Sequence, residues 1–289
     1  MSAAEARLVE RVVDTARYPL SEPASPAWDQ LVARVRDDLR RSGCSVLADL
    51  VRPSLNETLR REGAEIAPSA HYAVEIVNAY NIASGTSLPD DHPGRIPMEK
   101  GNAFVAWDRI PETFIIHQLY LSPLLQRFLA ACVGLPEIHP LADPLAGVCL
   151  NVIPPGKAHP WHFDTNEFAV SILTQEPEGG GTFEYCPNVR SATAENVTDV
   201  RGVLGGNRDD LVTRLTLRPG DLQLFMGRFS LHRVTTVRGP TERHSAIFAY
   251  SERPGVVGNV ERTRQLFGRV LPAHLHADGR TVRGDRLLD

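Results

Sequence analysis

The chain has 289 residues, 42% of them hydrophobic and 23% charged, with a formal net charge of −4. These are ordinary globular values: they leave no basic footprint for nucleic acid, and no run approaches the ~20 apolar residues that span a bilayer. The start, "MSAAEARLVERVVDTARY", has no apolar leader segment, and the four cysteines (Cys44, Cys132, Cys149, Cys186) show no CxxC spacing, so the expectation is a cytoplasmic protein with reduced thiols.

In chain order, "EARLVERVVDTARY" and "AWDQLVARVRDDLRRSG" carry apolar residues at helical spacing, and Gly43 stops the second helix. "CSVLADLV" reads as a short strand and "RPSLNETLRREGAEIA" as another helix. The polar, Pro- and Gly-bearing "ASGTSLPDDHPGRIPMEKGN" reads as a loop or lid. "PETFIIHQLYLSPLLQRFLAACVG" is a helical pair or one broken helix, ended by Gly134. From about Leu145 the texture changes to short β runs, from "AGVCLNVIPPG" through "HPWHFDTNEFAVSILTQ" to "RHSAIFAYSE", whose spacing predicts a sandwich or barrel. A polar segment, 190–212, interrupts the series as an excursion outside the sheet, and "NVERTRQLFGRV" returns to helix before a polar tail.

The chemistry gathers in the β part. In "HPWHFDTNEF", His162 and Asp164 stand two residues apart, so on a strand an imidazole and a carboxylate share one face. Trp161 and Phe163 alternate with them and are expected to pack behind that face. His232, in "FSLHRVTTVRG", follows Asp164 by 68 residues. The turn "RGPTE" suggests that the strands bearing His232 and "RHS" form a hairpin, which would let His232, Arg243 and Ser245 face one cavity. Two histidines and one carboxylate match the facial triad of non-haem Fe(II) oxygenases, which leaves open positions for a chelating co-substrate and O2. An inward arginine with a serine two residues on suits a dicarboxylate.

Taken together, "HFD", "RPGDLQLFMGRFSLHRV" and "RHS" resemble the Fe(II)/2-oxoglutarate-dependent dioxygenases over roughly Leu145 to Arg253. The resemblance implies a mainly β fold with N-terminal helices around a double-stranded β-helix, or jelly-roll. It implies a single domain: 1–144 as helical support and lid region, 145–253 as the core, 254–289 as C-terminal helix and tail. It implies the metal ligands His162, Asp164 and His232, with Arg243 and Ser245 anchoring the co-substrate 2-oxoglutarate, and Fe(II) and O2 as the other reactants. "HPWHFDTNEF", "QEPEGGGTFEY" and "LFMGRFSLHRV" are also similar to the group of free-amino-acid hydroxylases and radical halogenases, such as the lysine halogenases. Halogenating members replace the carboxylate ligand with a small residue; Asp164 is retained here, so hydroxylation is expected. In that group an upstream arginine and a histidine three residues before the first ligand hold the substrate, which points to Arg95 and His159. Thr165 stands where the lysine-acting members carry an acid.

Other motifs have plainer readings. "EGGGTF" lacks the Lys-Ser/Thr of a phosphate loop and is read as a turn; His274 and His276 in "HLH" are read as solvent-exposed. The expected activity is hydroxylation of an unactivated C–H in a small molecule, a free amino acid or derivative, with release of succinate and CO2. The alternatives are a non-catalytic metal-binding sensor and a zinc hydrolase on the same jelly-roll. The expected partners are a small-molecule substrate and no nucleic acid or membrane; a homodimer is allowed.

Overall fold

Helix-forming periodicity comes first along the chain, and the structure shows where each apolar face goes. The computed structural model describes residues 3–82, 87–277 and 287–288. Helix α1 (Ala3–Val12) buries Val9 and Val12. Helix α2 (Pro26–Ser42) is capped by the Ser25 hydroxyl, which accepts from Trp28 N at 3.2 Å; Gly43, at φ 65°, ends it where a side chain would be strained. Its Leu31, Val32, Val35 and Leu39 form one buried stripe. Strand β1 (Cys44–Leu47) and helix α3 (Asn56–Ile66) follow. Strands β2 (Glu75–Val77) and β3 (Met98–Lys100) pair with each other, so the segment read as a loop or lid carries a strand at its end; its residues 83–86 lie outside the described residues. After β4 (Ala103–Val105), the expected helical pair appears as α4 (Ile115–Leu121) and α5 (Pro123–Val133), broken at Ser122–Pro123 and closed by Gly134.

The β part supplies β5 (Val148–Ile153), β6 (His159–His162), β7 (Ala169–Gln175) and β8 (Phe183–Cys186). Helix α6 (Val197–Leu204) occupies the excursion between 190 and 212, and β9 (Thr213–Leu215), β10 (Leu222–Phe225), β11 (Leu231–Val234) and β12 (Arg243–Phe248) complete the strands. Helices α7 (Val260–Phe267) and α8 (Pro272–Ala277) come last among the described residues, and the rest of the polar tail, 278–286 and 289, lies outside them.

Two antiparallel sheets result. The larger has the order β1–β10–β7–β12–β5–β4 and the smaller β9–β8–β11–β6. This is the jelly-roll expected from the sequence, with both edge strands of the larger sheet drawn from the part of the chain before residue 145. Alternation along the strands divides the two faces. Val148, Leu150 and Val152 of β5, and Ala246 and Phe248 of β12, join α1–α5 in the main core. Each such fully buried aliphatic or aromatic side chain contributes ~1.5–3 kcal/mol. Ile153 of β5 instead meets Phe183 and Val234 of the smaller sheet, so the other face of the larger sheet lines the space between the sheets.

The expected hairpin between the His232 and Arg243 strands does not form. β11 pairs with β8 and β6, whereas β12 pairs with β5 and β7 in the opposite sheet. Between them the chain crosses over through Val237–Arg238, which pairs with Gly179–Gly180. Gly180 sits at φ 64°, and an added Cβ would meet the Thr236 carbonyl oxygen at 1.9 Å, so the "GGG" turn needs glycine for close backbone approach. The "HLH" segment also differs from expectation at one position. His274 is fully buried, its Nε2 3.2 Å from both carboxylate oxygens of fully buried Asp143, and it ties α8 to the core. The four cysteines are free and buried, and burial pushes Cys132 and Cys149 up to about 12.

Candidate metal centre and co-substrate pocket

β6 and β11 are neighbours in the smaller sheet, and their register sets His162 directly opposite His232. The ladder is irregular just beyond, where Pro160 has no N–H to donate. That carbonyl is used instead: His162 Nδ1 donates to Pro160 O at 2.8 Å, and His232 Nδ1 donates to Ser230 O at 3.0 Å. A carbonyl only accepts, so both rings carry their proton on Nδ1 and turn the Nε2 lone pair inward. Asp164 Oδ1 lies 3.7 Å from His162 Nε2 and 3.5 Å from His232 Nε2. One donor atom from each residue lies within 4.8 Å of the others, a set suited to a divalent cation.

Electrostatics agrees with the geometry. Burial, then the neighbouring His159 and His232, hold His162 well below its ordinary value, so it is a neutral imidazole, as a metal ligand would have to be. Burial alone would raise the Asp164 carboxyl. The neighbouring His232 and His162, with Arg262, override that and bring it to about 2. Asp164 follows the strand rather than lying in it, and its N–H donates to Gly227 O at 3.1 Å. A Cβ on Gly227 would stand 1.8 Å from Asp164 Oδ2. The glycine therefore makes room for the carboxylate, a requirement that the sequence shows only as "MGR".

Trp161 and Phe163 pack on the opposite face of the strand, with Val189, Val200 and Val203 around them, as alternation predicts. On the inner face, Phe183 stacks on His232 with centroids 5.6 Å apart, and Phe225 meets it edge-on at 4.8 Å.

Arg243 reaches the same space from the larger sheet. It is 4% exposed, donates from Nη1 to Ser245 Oγ at 3.2 Å, and has no acidic partner among the described residues. Burial alone lowers its pKa to about 10. Gly181 lets it lie close, since a Cβ there would be 3.0 Å from Arg243 Cδ. A buried guanidinium with one hydroxyl and no anion is suited to a carboxylate.

The two residues expected to hold the substrate part company. His159 stacks on His162 with centroids 4.0 Å apart, and burial, then His232, Lys100, Arg262 and Arg243, keep it well below its ordinary value. Arg95 is not brought to the cluster: it is exposed, 3.7 Å from Asp90, and donates to Leu88 O. Of the cations that act on His159, Lys100 and Arg262 carry no local signal in the sequence.

Fold and ligand set together define the class, that of the Fe(II)/2-oxoglutarate-dependent oxygenases. The family model for halogenase D matches residues 103–265, more than half of the sequence, and the chain belongs to that family. A comparison with curated proteins gives no match. Among solved structures, a prolyl hydroxylase from Trichoplax adhaerens, in complex with a hypoxia inducible factor peptide fragment, is 14% identical. That match covers 78% of this chain and 90% of the other, with a TM-score of 0.51. The epimerase SnoN in complex with Fe3+, alpha ketoglutarate and nogalamycin RO is 13% identical over 77% of this chain and 84% of its own, with a TM-score of 0.50. At these identities the likeness establishes the fold. No helix among the described residues is long and apolar enough to cross a membrane.

Proposed function

We propose that this chain hydroxylates an unactivated C–H of a free amino acid or amino-acid derivative, converting 2-oxoglutarate and O2 to succinate and CO2 as the substrate gains one oxygen. The observation that carries the reading is the pairing of a complete His162–Asp164–His232 donor set with an anion-free buried guanidinium, Arg243. The two histidine lone pairs and the Asp164 carboxylate would hold Fe(II), their orientation fixed by the Pro160 and Ser230 carbonyls. When bound, the metal supplies, with 2-oxoglutarate and O2, the oxidant that removes hydrogen from the substrate. Arg243 and Ser245 would grip the distal carboxylate of 2-oxoglutarate. Phe183 and Phe225 keep water from the histidine rings, and His159 braces His162 by stacking.

Asp164 favours hydroxylation over halogenation. Its carboxylate fills the third protein position and neutralises metal charge, which leaves no place there for a halide. The test is a screen of amino acids for substrate-stimulated succinate release, followed by mass spectrometry of products formed in excess chloride. A product heavier by one oxygen is expected. A chlorinated main product would overturn the hydroxylase reading, and a metal sensor or zinc hydrolase would release no succinate.

A further inference from the structure

The excursion between β8 and α6 brings one buried cation behind the candidate metal ligands. Arg190 is 1% exposed, and its guanidinium carbon lies 3.8 Å from the centroid of the Phe163 ring and 5.8 Å from that of Tyr80. Phe163 is the residue between His162 and Asp164, and a desolvated guanidinium on an aromatic face is held firmly. Arg190 also grips the segment that receives Asp164. Its backbone N–H donates to Phe229 O at 3.0 Å and its Nε to Arg228 O at 2.6 Å. Both lie beside Gly227, whose carbonyl accepts the Asp164 N–H. One residue thus ties together the two supports of Asp164, the ring that precedes it and the turn that faces it.

A further hold comes from far along the chain. Arg190 Nη1 donates to Glu195 Oε2 at 3.2 Å and to Leu288 O at 3.1 Å. The Leu288 N–H donates to the other Glu195 oxygen at 2.6 Å. Leu287 is buried, and Leu288 packs on the cluster that contains Trp161, Phe163 and Tyr80. The charges acting on Arg190 are Glu195, its ion-pair partner, and Arg228; burial lowers its pKa, Glu195 opposes that and Arg228 adds to it. Nη2 is buried and has no hydrogen-bond partner, so the fork depends on the acceptors at Nε and Nη1. Undocking Leu288 would leave Nη1 with Glu195 alone.

We infer that Arg190 is a positioning residue for the metal ligands and that the Leu287–Leu288 segment completes it, so that docking of this segment and metal binding strengthen each other. This rests on the metal-binding part of the oxygenase reading. Such coupling is reciprocal: the factor by which docking tightens the metal is the factor by which the metal tightens docking. Mn(II), an air-stable stand-in for Fe(II), is titrated into the full chain and the free ion counted by electron paramagnetic resonance. Arg190→Met should weaken binding by about tenfold to a hundredfold, the range for altered groups that support metal ligands. Arg190→Lys keeps a cation over the ring and should restore part of that loss. In a Phe163→Leu background, Arg190→Met should cost clearly less, because the ring that transmits its effect is gone. Ending the chain at Arg286 should weaken Mn(II) by about fivefold or more. In the wild-type chain, saturating Mn(II) should slow hydrogen exchange at the Leu288 amide by that same factor.

Mn(II) affinity in Arg190→Met equal to that of the wild type, or an equal loss with and without the Phe163 ring, would overturn the positioning role. Unchanged affinity in the shortened chain, or Leu288 exchange indifferent to Mn(II), would overturn the coupling. The exchange measurement uses the wild-type chain, so it decides the coupling even where Arg190→Met does not fold. A wild-type chain that takes up no Mn(II) would sink the metal-binding reading itself, a different result from one that binds the ion while its variants bind equally well.

Discussion

The strand-built wall of the cavity and its assembled rim are made in different ways. On the wall, His162 and His232 face each other across one ladder, and Arg243 and Ser245 share one face of a strand in the opposite sheet. Their positions follow from a two-residue repeat and a fixed register. At the rim, Asn81 and Arg262 meet although 181 residues apart, and Lys100 reaches both Glu75 and Gln265. Nothing local positions these groups; α7 packing on β4 and the short β2–β3 pair bring them together. The difference teaches a division: the ladders fix the candidate metal and co-substrate groups, and segments outside the ladders, which can change without disturbing them, fix the rim.

Substitutions on the wall should therefore break the reaction itself, in two separable ways. His232→Ala leaves two donors for the metal, and turnover should vanish together with stoichiometric Fe(II) binding. Arg243→Ala should keep Fe(II) near one per chain while weakening 2-oxoglutarate by about thirtyfold or more. Anaerobic titrations followed by the charge-transfer absorption read both. If Arg243→Ala left co-substrate affinity intact, the anchoring role would pass to another cation and the wall would lose half its assignment.

Gly227 gives a sharper test, because it joins the wall without offering a ligand. A Cβ at this position would stand 1.8 Å from Asp164 Oδ2 and 2.9 Å from Asp164 Cβ, so Gly227→Ala must displace the Asp164 side chain. A displaced side chain is tolerable for folding but not for a shared donor set. Metal affinity should fall by about tenfold to a hundredfold, the range seen when groups supporting metal ligands are altered. In an Asp164→Gly background the side chain is gone, and the same Gly227→Ala change should then have little further effect. A Gly227→Ala variant that binds Fe(II) like the wild type would mean the carboxylate relaxes freely.

The same division explains what could be read from the sequence. The i, i+2 spacing of His162 and Asp164, and of Arg243 and Ser245, is a local signal, and strand alternation also placed Trp161 and Phe163 behind the ligands. Pairing was harder: "RGPTE" has the composition of a hairpin turn, but the chain changes sheets there, a crossover that no local pattern records. Gly227 is silent in the sequence because its role is to be small beside a group 63 positions away. Arg95 is a cation ahead of the core in sequence, yet in the fold it lies 3.7 Å from Asp90, in its own segment. His274 looked exposed in a polar tail, whereas Asp143, 131 positions earlier, makes it a buried anchor.

The smallest effect lies on the outer face of β12, where His244 alternates with Arg243 and points away from the cavity. His244 is 1% exposed: Nε2 lies 2.9 Å from Glu242 Oε2, and buried Nδ1 has no partner. Burial lowers its pKa below 6.5, with Glu242 opposing and Arg243 assisting. The unfolded chain therefore takes up this proton first as the pH falls. The contribution is flat well above pH 6.5, and stability declines as the pH drops from there toward the folded-state value. One group can account for at most about 1.4 kcal/mol per pH unit. His244→Gln keeps a donor toward Glu242 but cannot titrate, so denaturant midpoints measured on either side of pH 6.5 should differ less in the variant. Equal slopes in both proteins would mean that the outer histidine is not titrating. The acid sensitivity of the fold would then have to come from the inner face, where His159 and His162 are also held neutral.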